Sequence, residues 1–270
     1  MNDAEYTLLK KRINELLSIN IDAYKVQQMR RRLDAFVSRR TAASAAEFCR
    51  NLHANQEALE ELRNMLTINV SEFFRDPAQF DRLRDEVLPE LLKRPARLRI
   101  WSSACSHGEE PYSVAMILDE LNAGPRAQIL ATDIDRVVLA KAQAGGPYSA
   151  ADVRNVRAAE LAKYFTQEGD GYRIADTLRR RVEFRERNLL SDRFETGYDL
   201  IICRNVMIYF SDETKAQLFE KFHQSLNPGG VLFVGGTEAL LGSDSRGFDR
   251  SGGNFYRRAA ADGQRARLSA

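Results

Sequence analysis

Residues 100–113, IWSSACSHGEEPYS, combine small side chains and a single glycine with two adjacent carboxylates, Glu109 and Glu110. Small residues between a strand and a helix let the backbone approach a ligand, which is usually a phosphate because helix N-termini attract anions. Two carboxylates would repel a phosphate, so this turn suits a cationic ligand better. The alternative is that both carboxylates only complement the helix dipole.

Polar residues also end two other apolar runs, with Asp133 after ILAT and Arg204-Asn205 after LIIC. In an open parallel sheet, ligands bind at the carboxyl ends of the strands, and an acidic residue after the second strand typically hydrogen-bonds a ribose. These residues therefore predict a nucleoside cofactor. A nicotinamide dinucleotide fits poorly, because the turn has only Gly108 where that fingerprint needs three glycines, and no Walker A sequence occurs.

S-adenosylmethionine combines the required properties, because it is a nucleoside that carries a sulfonium and an α-ammonium but no phosphate. Glu109 can accept a charge-assisted hydrogen bond from such an ammonium. We therefore predict S-adenosylmethionine as the cofactor, with S-adenosylhomocysteine as its product.

An all-helical domain is predicted over residues 1–68, where apolar residues recur at helical spacing in four segments. A capping-box pattern from Ser44 to Glu47 precedes the third segment. The apolar stripe of the second segment consists of Val26, Met29, Leu33, Phe36 and Val37.

Residues 69–77 form a polar linker without helical spacing. At its end, Asp76 and Pro77 are typical of a helix start, with Asp76 as the N-cap and Pro77 at the first helical position. We expect this linker to separate the helical domain from a second domain over residues 78–270.

Short apolar runs alternate with helical segments in this second domain, which predicts an α/β fold with a parallel sheet covered on both faces. The alternation breaks at about 149–187, which indicates a small inserted subdomain. Residues 247–258 suit a terminal hairpin, and Asn227 to Gly230 are expected to stop the preceding helix. The predicted strands are 97–102, 128–135, 181–188, 198–205 and 229–236, and the predicted helices are 111–121, 136–143 and 212–226.

Composition limits the possible classes of protein. The 270 residues, 44% of them hydrophobic, suffice for one large domain or two smaller ones. No run of about 18 apolar residues occurs, so we expect no membrane insertion, and the N-terminus lacks the apolar region of a secretory signal. The three cysteines are odd in number and far apart, which is typical of reduced thiols in a cytoplasmic protein. We expect no metal site.

Five motifs make a family resemblance specific: NVSEFFRDP, WSSACSHGEEPYSVAMIL, ATDID, RNLL and CRNVMIYF. In this order they resemble the chemotaxis receptor glutamate O-methyltransferases, the CheR family, over nearly the whole chain. The resemblance implies a class I, Rossmann-like S-adenosylmethionine methyltransferase sheet with an N-terminal helical domain and a small inserted β-subdomain. It also implies that the protein esterifies glutamate side chains of chemoreceptors during bacterial chemotaxis adaptation.

The resemblance further implies the roles of individual residues. Arg75 is expected to orient the substrate carboxylate, and Tyr209 is expected to lie near it and to assist through its hydroxyl. Ser71 stands where many family members have threonine, and it keeps the hydroxyl. The expected cofactor-binding residues are Asn69, Ser71, Arg75, Glu109 at the methionine end, Asp133 at the ribose, Asn188, Leu189, Arg204 and Asn205.

A basic segment covers residues 10–50, which contain ten Lys or Arg and four acidic residues. Arg30, Arg31 and Arg32 lie beside the apolar stripe of their helix rather than within it. They would form either a solvated helix face or a surface that docks onto the cytoplasmic helical domain of a chemoreceptor, by an attraction that salt weakens. Nucleic acid is a weaker partner, because aromatic residues do not alternate with the basic ones.

The sequence leaves two alternative functions open. A base methyltransferase would commonly have an Asn/Asp-Pro-Pro-aromatic motif where this chain has Asn205-Val206-Met207-Ile208-Tyr209. An adaptor without activity would have no need for the site residues. We further expect a monomer, because no long unexplained apolar stripe indicates an obligate dimer. Dependence on a C-terminal receptor tether peptide is not expected, because the turn in QEGDGYRI is shorter and poorer in glycine than in family members that bind such a peptide.

Overall fold

The computed structural model describes residues 1–40, 45–94, 96–240 and 247–259. Contacts divide the chain into two compact units. The first contains Met1–Ile68 and Tyr209–Gln217, and the second contains Asn69–Ile208 and Leu218–Ala270. Within the described ranges, no helix is both long and apolar enough to cross a membrane.

The first unit has the helical character that the sequence predicts. A capping box starts the first helix, in which Asn2 Oδ1 accepts a hydrogen bond from Glu5 N at 2.9 Å and Glu5 Oε2 accepts one from Asn2 N at 2.8 Å. The helices are α1 (Asp3–Leu17), α2 (Val26–Arg40), α3 (Ala45–Asn51) and α4 (Gln56–Thr67).

The apolar stripe of α2 is shorter than predicted. Met29, Leu33, Phe36 and Val37 are buried, but Val26 is 61% exposed. Its assignment to the stripe is wrong because Val26 is the first residue of the helix, where side chains lean towards the N-terminus and away from the packed turns. Ser44 of the predicted capping box lies outside the described residues.

The segment Tyr209–Gln217 belongs to the first unit although it follows the strands of the second. Lys25 N donates a hydrogen bond to the Tyr209 carbonyl at 3.0 Å, and Ser211 N donates one to the Ala23 carbonyl at 2.9 Å. The rings of Tyr24 and Phe210 meet edge to face with centroids 5.0 Å apart. The chain therefore passes between the units after Ile68, after Ile208 and after Gln217.

The second unit contains all the strands of the described chain. They are β1 (Leu98–Ser102), β2 (Ala127–Asp133), β3 (Phe165–Glu168), β4 (Gly171–Ile174), β5 (Val182–Glu186), β6 (Tyr198–Cys203), β7 (Leu226–Val234), β8 (Phe248–Arg250) and β9 (Phe255–Arg258). Its helices are α5 (Pro77–Arg82), α6 (Leu88–Leu92), α7 (Glu109–Glu120), α8 (Arg136–Ala144), α9 (Ala158–Tyr164) and α10 (Asp176–Arg179), while α11 (Asp212–Ser225) begins in the first unit and ends in the second.

Seven of these strands form one sheet in the order β5-β2-β1-β6-β7-β9-β8. The strands from β5 to β7 pair in parallel, and β9 pairs antiparallel with both β7 and β8. Every residue of β6 is buried, as expected for a parallel strand covered on both faces. The predicted α/β fold and terminal hairpin are confirmed.

Strand β1 marks the place where a ligand is expected to bind. The chain continues from β1 to β2 on one side, whereas β6 pairs with β1 on the other side. The strand order therefore reverses at β1, and the loops after β1, β2 and β6 meet at the carboxyl edge of the sheet. These are the three loops that the sequence selects for their polar residues.

Asn227 to Gly230 do more than end α11, which stops at Ser225. They belong to β7 itself, where Gly229 has φ of +70° and the pairing with β6 shifts its register between Tyr198 and Leu200. The predicted strand 229–236 starts three residues too late, because the positive φ at Gly229 lets the strand make an irregularity and pair with β6 from Leu226 onward.

The small inserted subdomain is also present. β3 and β4 form an antiparallel two-stranded sheet, joined by the two-residue turn Gly169-Asp170. Tyr148 and Tyr172 exchange backbone hydrogen bonds of 2.8 Å, which fasten β4 to the segment that follows α8. A short hairpin thus interrupts the alternation of strands and helices, as the sequence predicts.

Candidate active site

Glu109 is the first residue of α7 and lies at the carboxyl end of β1. It follows Gly108, whose φ of +94° and close approach to Ala142 leave no room for a Cβ atom. The Glu109 side chain is 1% exposed, and its Oε2 has no hydrogen-bond partner among the described residues. Burial raises the pKa of Glu109 to about 7, and its own backbone N–H group opposes part of that rise.

His107 is the residue of this turn that could balance the charge of Glu109 if it were protonated, since its Nδ1 lies 3.8 Å from Glu109 Oε1. Burial lowers the pKa of His107, with Lys141 as the next contribution. The imidazole is therefore neutral at pH 7 and does not balance the carboxylate. The unpartnered Oε2 is an acceptor that suits a cationic donor.

Asp133 ends β2 and is held from both sides by backbone groups. Its Oδ2 accepts a hydrogen bond from Ser106 N at 2.8 Å, and its Oδ1 accepts one from Asp135 N at 3.1 Å. Burial raises the pKa of Asp133 to about 6. The next acid, Asp135, caps α8 by accepting from Val137 N at 2.9 Å.

The linker reaches the same edge of the sheet through a series of hydrogen bonds. Asn69 Nδ2 donates to Asp135 Oδ2 at 2.9 Å, and Ser71 lies close enough to Glu109 to lower the pKa of its carboxyl group. Further along, Phe74 N donates to Ser113 Oγ of α7 at 3.0 Å. Asn69 and Ser71 are therefore brought together with the acids at the ends of β1 and β2.

Arg75 has free hydrogen-bonding capacity in the linker. Its Nη1 donates to the Val70 carbonyl at 2.9 Å, and it forms no ion pair within the described parts of the chain. The two acids that could have paired with it have other partners, because Glu72 pairs with Arg154 and Asp76 pairs with Arg204. Its guanidinium can therefore still bind an anion.

The Arg204 side chain turns towards the linker and is 2% exposed. Its Nη2 donates to the Arg75 carbonyl at 2.8 Å and to the Asp76 carboxylate, and its guanidinium lies 4.7 Å from the ring centroid of Phe233. The Arg204 side chain binds the linker through Nη2, while its buried Nε has no hydrogen-bond partner among the described residues.

Asp76 occupies the N-cap position of α5 with φ of +63° but makes no capping hydrogen bond. The predicted capping bond is wrong, because the carboxylate pairs with Arg204 instead.

Glu110 contacts a serine of β1 and the arginine that follows β6. Its Oε1 accepts a hydrogen bond from Ser102 Oγ at 2.7 Å, and its Oε2 lies 3.7 Å from Arg204 Nη1. Burial raises the pKa of Glu110, and the charge of Arg204 opposes that rise. The two adjacent glutamates thus differ in function: Glu110 holds Arg204, and Glu109 keeps a free oxygen.

The remaining predicted cofactor residues lie in loops after β5 and β6. Asn188 forms a tight turn, in which its Oδ1 accepts from Leu190 N at 2.9 Å and its own N donates to Asp192 at 2.9 Å. Leu189 is buried, and its carbonyl accepts from Lys221 Nζ at 2.8 Å. Asn205 has φ of +59°, and its N donates to Glu238 Oε2 at 2.6 Å.

Tyr209 and the three arginines of α2 belong to the first unit. Arg30 pairs with Asp3 at 2.7 Å, and Arg32 donates to the Met65 carbonyl, with burial lowering its pKa. Arg31 is exposed. The expected role of Tyr209 beside the substrate carboxylate stays a prediction.

Two models of one protein family match the chain. Residues 69–256 match the CheR methyltransferase SAM-binding domain, and residues 4–67 match the CheR methyltransferase all-alpha domain. The chain belongs to the CheR family. S-adenosylmethionine is accordingly the cofactor, as predicted from the acidic turn.

Curated relatives agree with this assignment. The chemotaxis protein methyltransferase of Listeria monocytogenes is 38% identical over 255 residues, which cover 94% of this chain and 97% of the relative. Chemotaxis protein methyltransferase 1 of Pseudomonas aeruginosa is 36% identical over 251 residues, 88% of this chain and 91% of the relative. Chemotaxis protein methyltransferase 2 of Vibrio cholerae is 42% identical over 199 residues, 69% of this chain and 68% of the relative.

The residues present fit the cofactor of a CheR protein. The buried Glu109 oxygen without a partner matches the α-ammonium, and the Asp133 carboxylate at the end of β2 matches a ribose. Sequence reasoning missed the Glu110–Arg204 pair and Glu238. Glu238 had a weak signal, since a Gly-Gly-x-Glu sequence directly follows a strand.

Binding of S-adenosylhomocysteine is expected to depend on the ionisation of Glu109. Its pKa is about 7 in the folded protein against 4.5 as the ordinary value, so it keeps a proton that the unfolded chain releases. This group therefore lowers the free energy of unfolding as the pH rises from 4.5 to about 7. An ammonium binds the ionised form, so binding at pH 7 releases about half a proton.

Calorimetry in two buffers of different ionisation enthalpy measures this release. In the isosteric variant Glu109→Gln the release from this group is lost and affinity falls by about tenfold or more. A Glu109→Gln variant with the affinity and proton release of the wild type would contradict the assignment.

Proposed function

We propose that this CheR protein transfers the methyl group of S-adenosylmethionine to glutamate side-chain carboxylates of chemoreceptors, forming methyl esters during chemotaxis adaptation. The carrying observation is the match of both CheR family models, which together span residues 4–256. The relatives named above as chemotaxis protein methyltransferases support the same substrate class.

The reaction asks for positioning rather than for an acid or a base. S-adenosylmethionine supplies a methyl group that its sulfonium already activates. A glutamate side chain has a pKa of about 4.3 and is ionised at neutral pH, so no residue has to remove a proton from it. The chain has to orient this carboxylate in line with the methyl group and to exclude water from it.

Arg75 is the residue that we propose for this orientation. It lies in the linker four residues after Ser71, and within the described chain its guanidinium has no carboxylate partner. A planar guanidinium can hold both oxygens of a carboxylate, which fixes the direction of its lone pairs. Tyr209 is proposed to assist through its hydroxyl group.

Different parts of the chain are proposed to bind the receptor and to catalyse methyl transfer. Residues 1–68 dock onto the cytoplasmic helical domain of the receptor, residues 69–77 contribute to the cofactor site, and residues 78–270 form the catalytic domain, with the inserted subdomain at about 149–187. The cytoplasmic location of the enzyme follows from that substrate.

We also propose a monomer that acts without a receptor tether peptide. The two-residue turn Gly169-Asp170 supports tether independence, because it leaves the β3–β4 hairpin short.

Transfer of labelled methyl groups to receptor-bearing membranes tests the reaction. We expect the label to be attached to protein. Mild base should release this label as methanol, because carboxyl esters are base-labile. Base-stable label, or label on nucleic acid, would contradict glutamate esterification. Membranes without any label would favour a receptor adaptor that lacks activity.

Replacing Arg75 by alanine is expected to lower kcat by about 10²-fold or more, the usual effect of removing one charge-orienting donor. Arg75→Lys should recover only part of this loss, since an ammonium cannot hold both carboxylate oxygens. Turnover with saturating receptor and cofactor measures the effect, and thermal unfolding shows that each variant is folded. A folded Arg75→Ala enzyme with the wild-type kcat would exclude this role.

The docking surface can be tested at Arg31, because Arg30 and Arg32 are engaged within the first unit. We expect Arg31→Glu to raise the KM for receptor several-fold, with a smaller effect at high salt, since the Debye length falls to about 3 Å at 1 M. Affinity for S-adenosylhomocysteine should not change. The matched control is Lys11→Glu, an exposed charge reversal on α1. Equal KM values for Arg31→Glu and the wild type would assign Arg31 to a solvated face.

A further inference from the structure

Glu238 lies four residues after the end of β7 and is 6% exposed. We propose that it is a positioning residue for the S-adenosylmethionine pocket, because its carboxylate fixes the backbone of Asn205 at the carboxyl end of β6. This inference rests on the proposed function of Asn205 as a cofactor-binding residue.

Both oxygens of Glu238 accept hydrogen bonds from backbone N–H groups. Oε2 accepts from Asn205 N at 2.6 Å and from Gly235 N at 2.8 Å, and Oε1 accepts from Ile208 N at 3.1 Å. The donors come from the ends of two neighbouring strands, β6 and β7. One buried carboxylate therefore joins these strand ends where the backbone has no sheet partners left.

Asn205 needs such support because of its backbone conformation. Its φ of +59° lies in the left-handed region, which residues other than glycine seldom adopt. Asparagine tolerates this region better than most residues, and the short bond to Glu238 selects the orientation of its N–H. The direction in which the Asn205 side chain leaves the strand end is thereby set.

Gly235 allows the carboxylate to approach. A Cβ atom at this position would lie 2.3 Å from Glu238 Oε2 and 3.0 Å from Asn205 N. A glycine is therefore required by contact rather than by its φ angle. The positions of Asn205, Gly235 and Glu238 therefore depend on one another, because the carboxylate binds both backbone N–H groups and fits only if residue 235 lacks a side chain.

A purely structural role is the competing explanation, and Asp199 provides the matched control. It is 5% exposed and lies at the amino end of the same strand, β6. It also accepts three hydrogen bonds of 3.0 Å, from Arg99 N, Arg94 Nη1 and Asn227 Nδ2. Asp199→Asn and Glu238→Gln are the same chemical change at opposite ends of one strand.

Titration calorimetry with S-adenosylhomocysteine and thermal unfolding separate the two roles. Glu238→Gln places an amide N–H₂ among three N–H donors, so we expect Kd to rise about tenfold, as for loss of one well-placed hydrogen bond. Asp199→Asn should lower the melting temperature about as much as Glu238→Gln does. Its Kd for S-adenosylhomocysteine should stay within about twofold of the wild type, because Asp199 lies far from the edge of the pocket.

Gly235→Ala is the second variant, which disturbs the same contact without removing the charge. It should weaken S-adenosylhomocysteine binding in the same direction as Glu238→Gln. The positioning role is overturned if either folded variant binds as Asp199→Asn does. It is also overturned if Glu238→Gln fails to fold and Gly235→Ala binds like the wild type.

Asn205→Ala distinguishes this failure from a failure of the proposed site. If Asn205→Ala retains wild-type affinity, Asn205 is not a cofactor residue and the premise is wrong. If Asn205→Ala weakens binding while Glu238→Gln does not, the premise stands and the role of Glu238 is excluded.

Discussion

One unsatisfied oxygen of the buried Glu109 carboxylate is the main physical constraint on the candidate site. Glu109 begins α7 with one oxygen that no described residue satisfies, and its burial disfavours the charged form. An unsatisfied buried group of this kind destabilises the folded protein. A ligand that supplies the missing hydrogen-bond donor removes this penalty, which adds to the free energy of binding. We propose that the α-ammonium of S-adenosylmethionine is this donor, and a cation in this position accounts for the acids in a nucleoside-binding turn.

The second constraint is that residues 69–77, which begin the second unit, contact the carboxyl edge of its sheet. Asn69 donates a hydrogen bond to Asp135 after β2, while the buried Arg204 donates to the Arg75 carbonyl and pairs with Asp76. Glu110 balances the charge of Arg204 from the other side. Arg75 is thereby held by its backbone while its guanidinium remains available. Rigid support of this kind is what in-line positioning of a substrate requires.

The sequence predicted those features that depend on local patterns. The alternation of apolar runs and helices located the strands within a few residues, and the residue types after β1 and β2 pointed to a cationic nucleoside. Pairings between distant residues could not be predicted in this way. Glu110 meets Arg204, and Glu238 meets Asn205, only because β6 lies between β1 and β7 in the sheet. Such contacts depend on which strands are neighbours and on where each loop places its side chains. The spacing of residues in the sequence does not encode either of these.

Local rules also failed where a tertiary contact competed with them. Asp76 has the residue type and position of an N-cap, but an ion pair with a buried arginine takes its carboxylate. Val26 follows the helical period, but the packed part of α2 begins one turn later. At Asp76 the local preference is overridden by a stronger ion pair. At Val26 the residue follows the apolar pattern but has no neighbouring element of the described chain to pack against.

A crystal structure of the protein with S-adenosylhomocysteine would show directly whether Glu109 binds the ammonium group. We expect the α-amino nitrogen within about 3.2 Å of Glu109 Oε2, and the ribose hydroxyls hydrogen-bonded to Asp133. An α-ammonium bound elsewhere, with Glu109 Oε2 still unpartnered, would exclude the proposed role of Glu109.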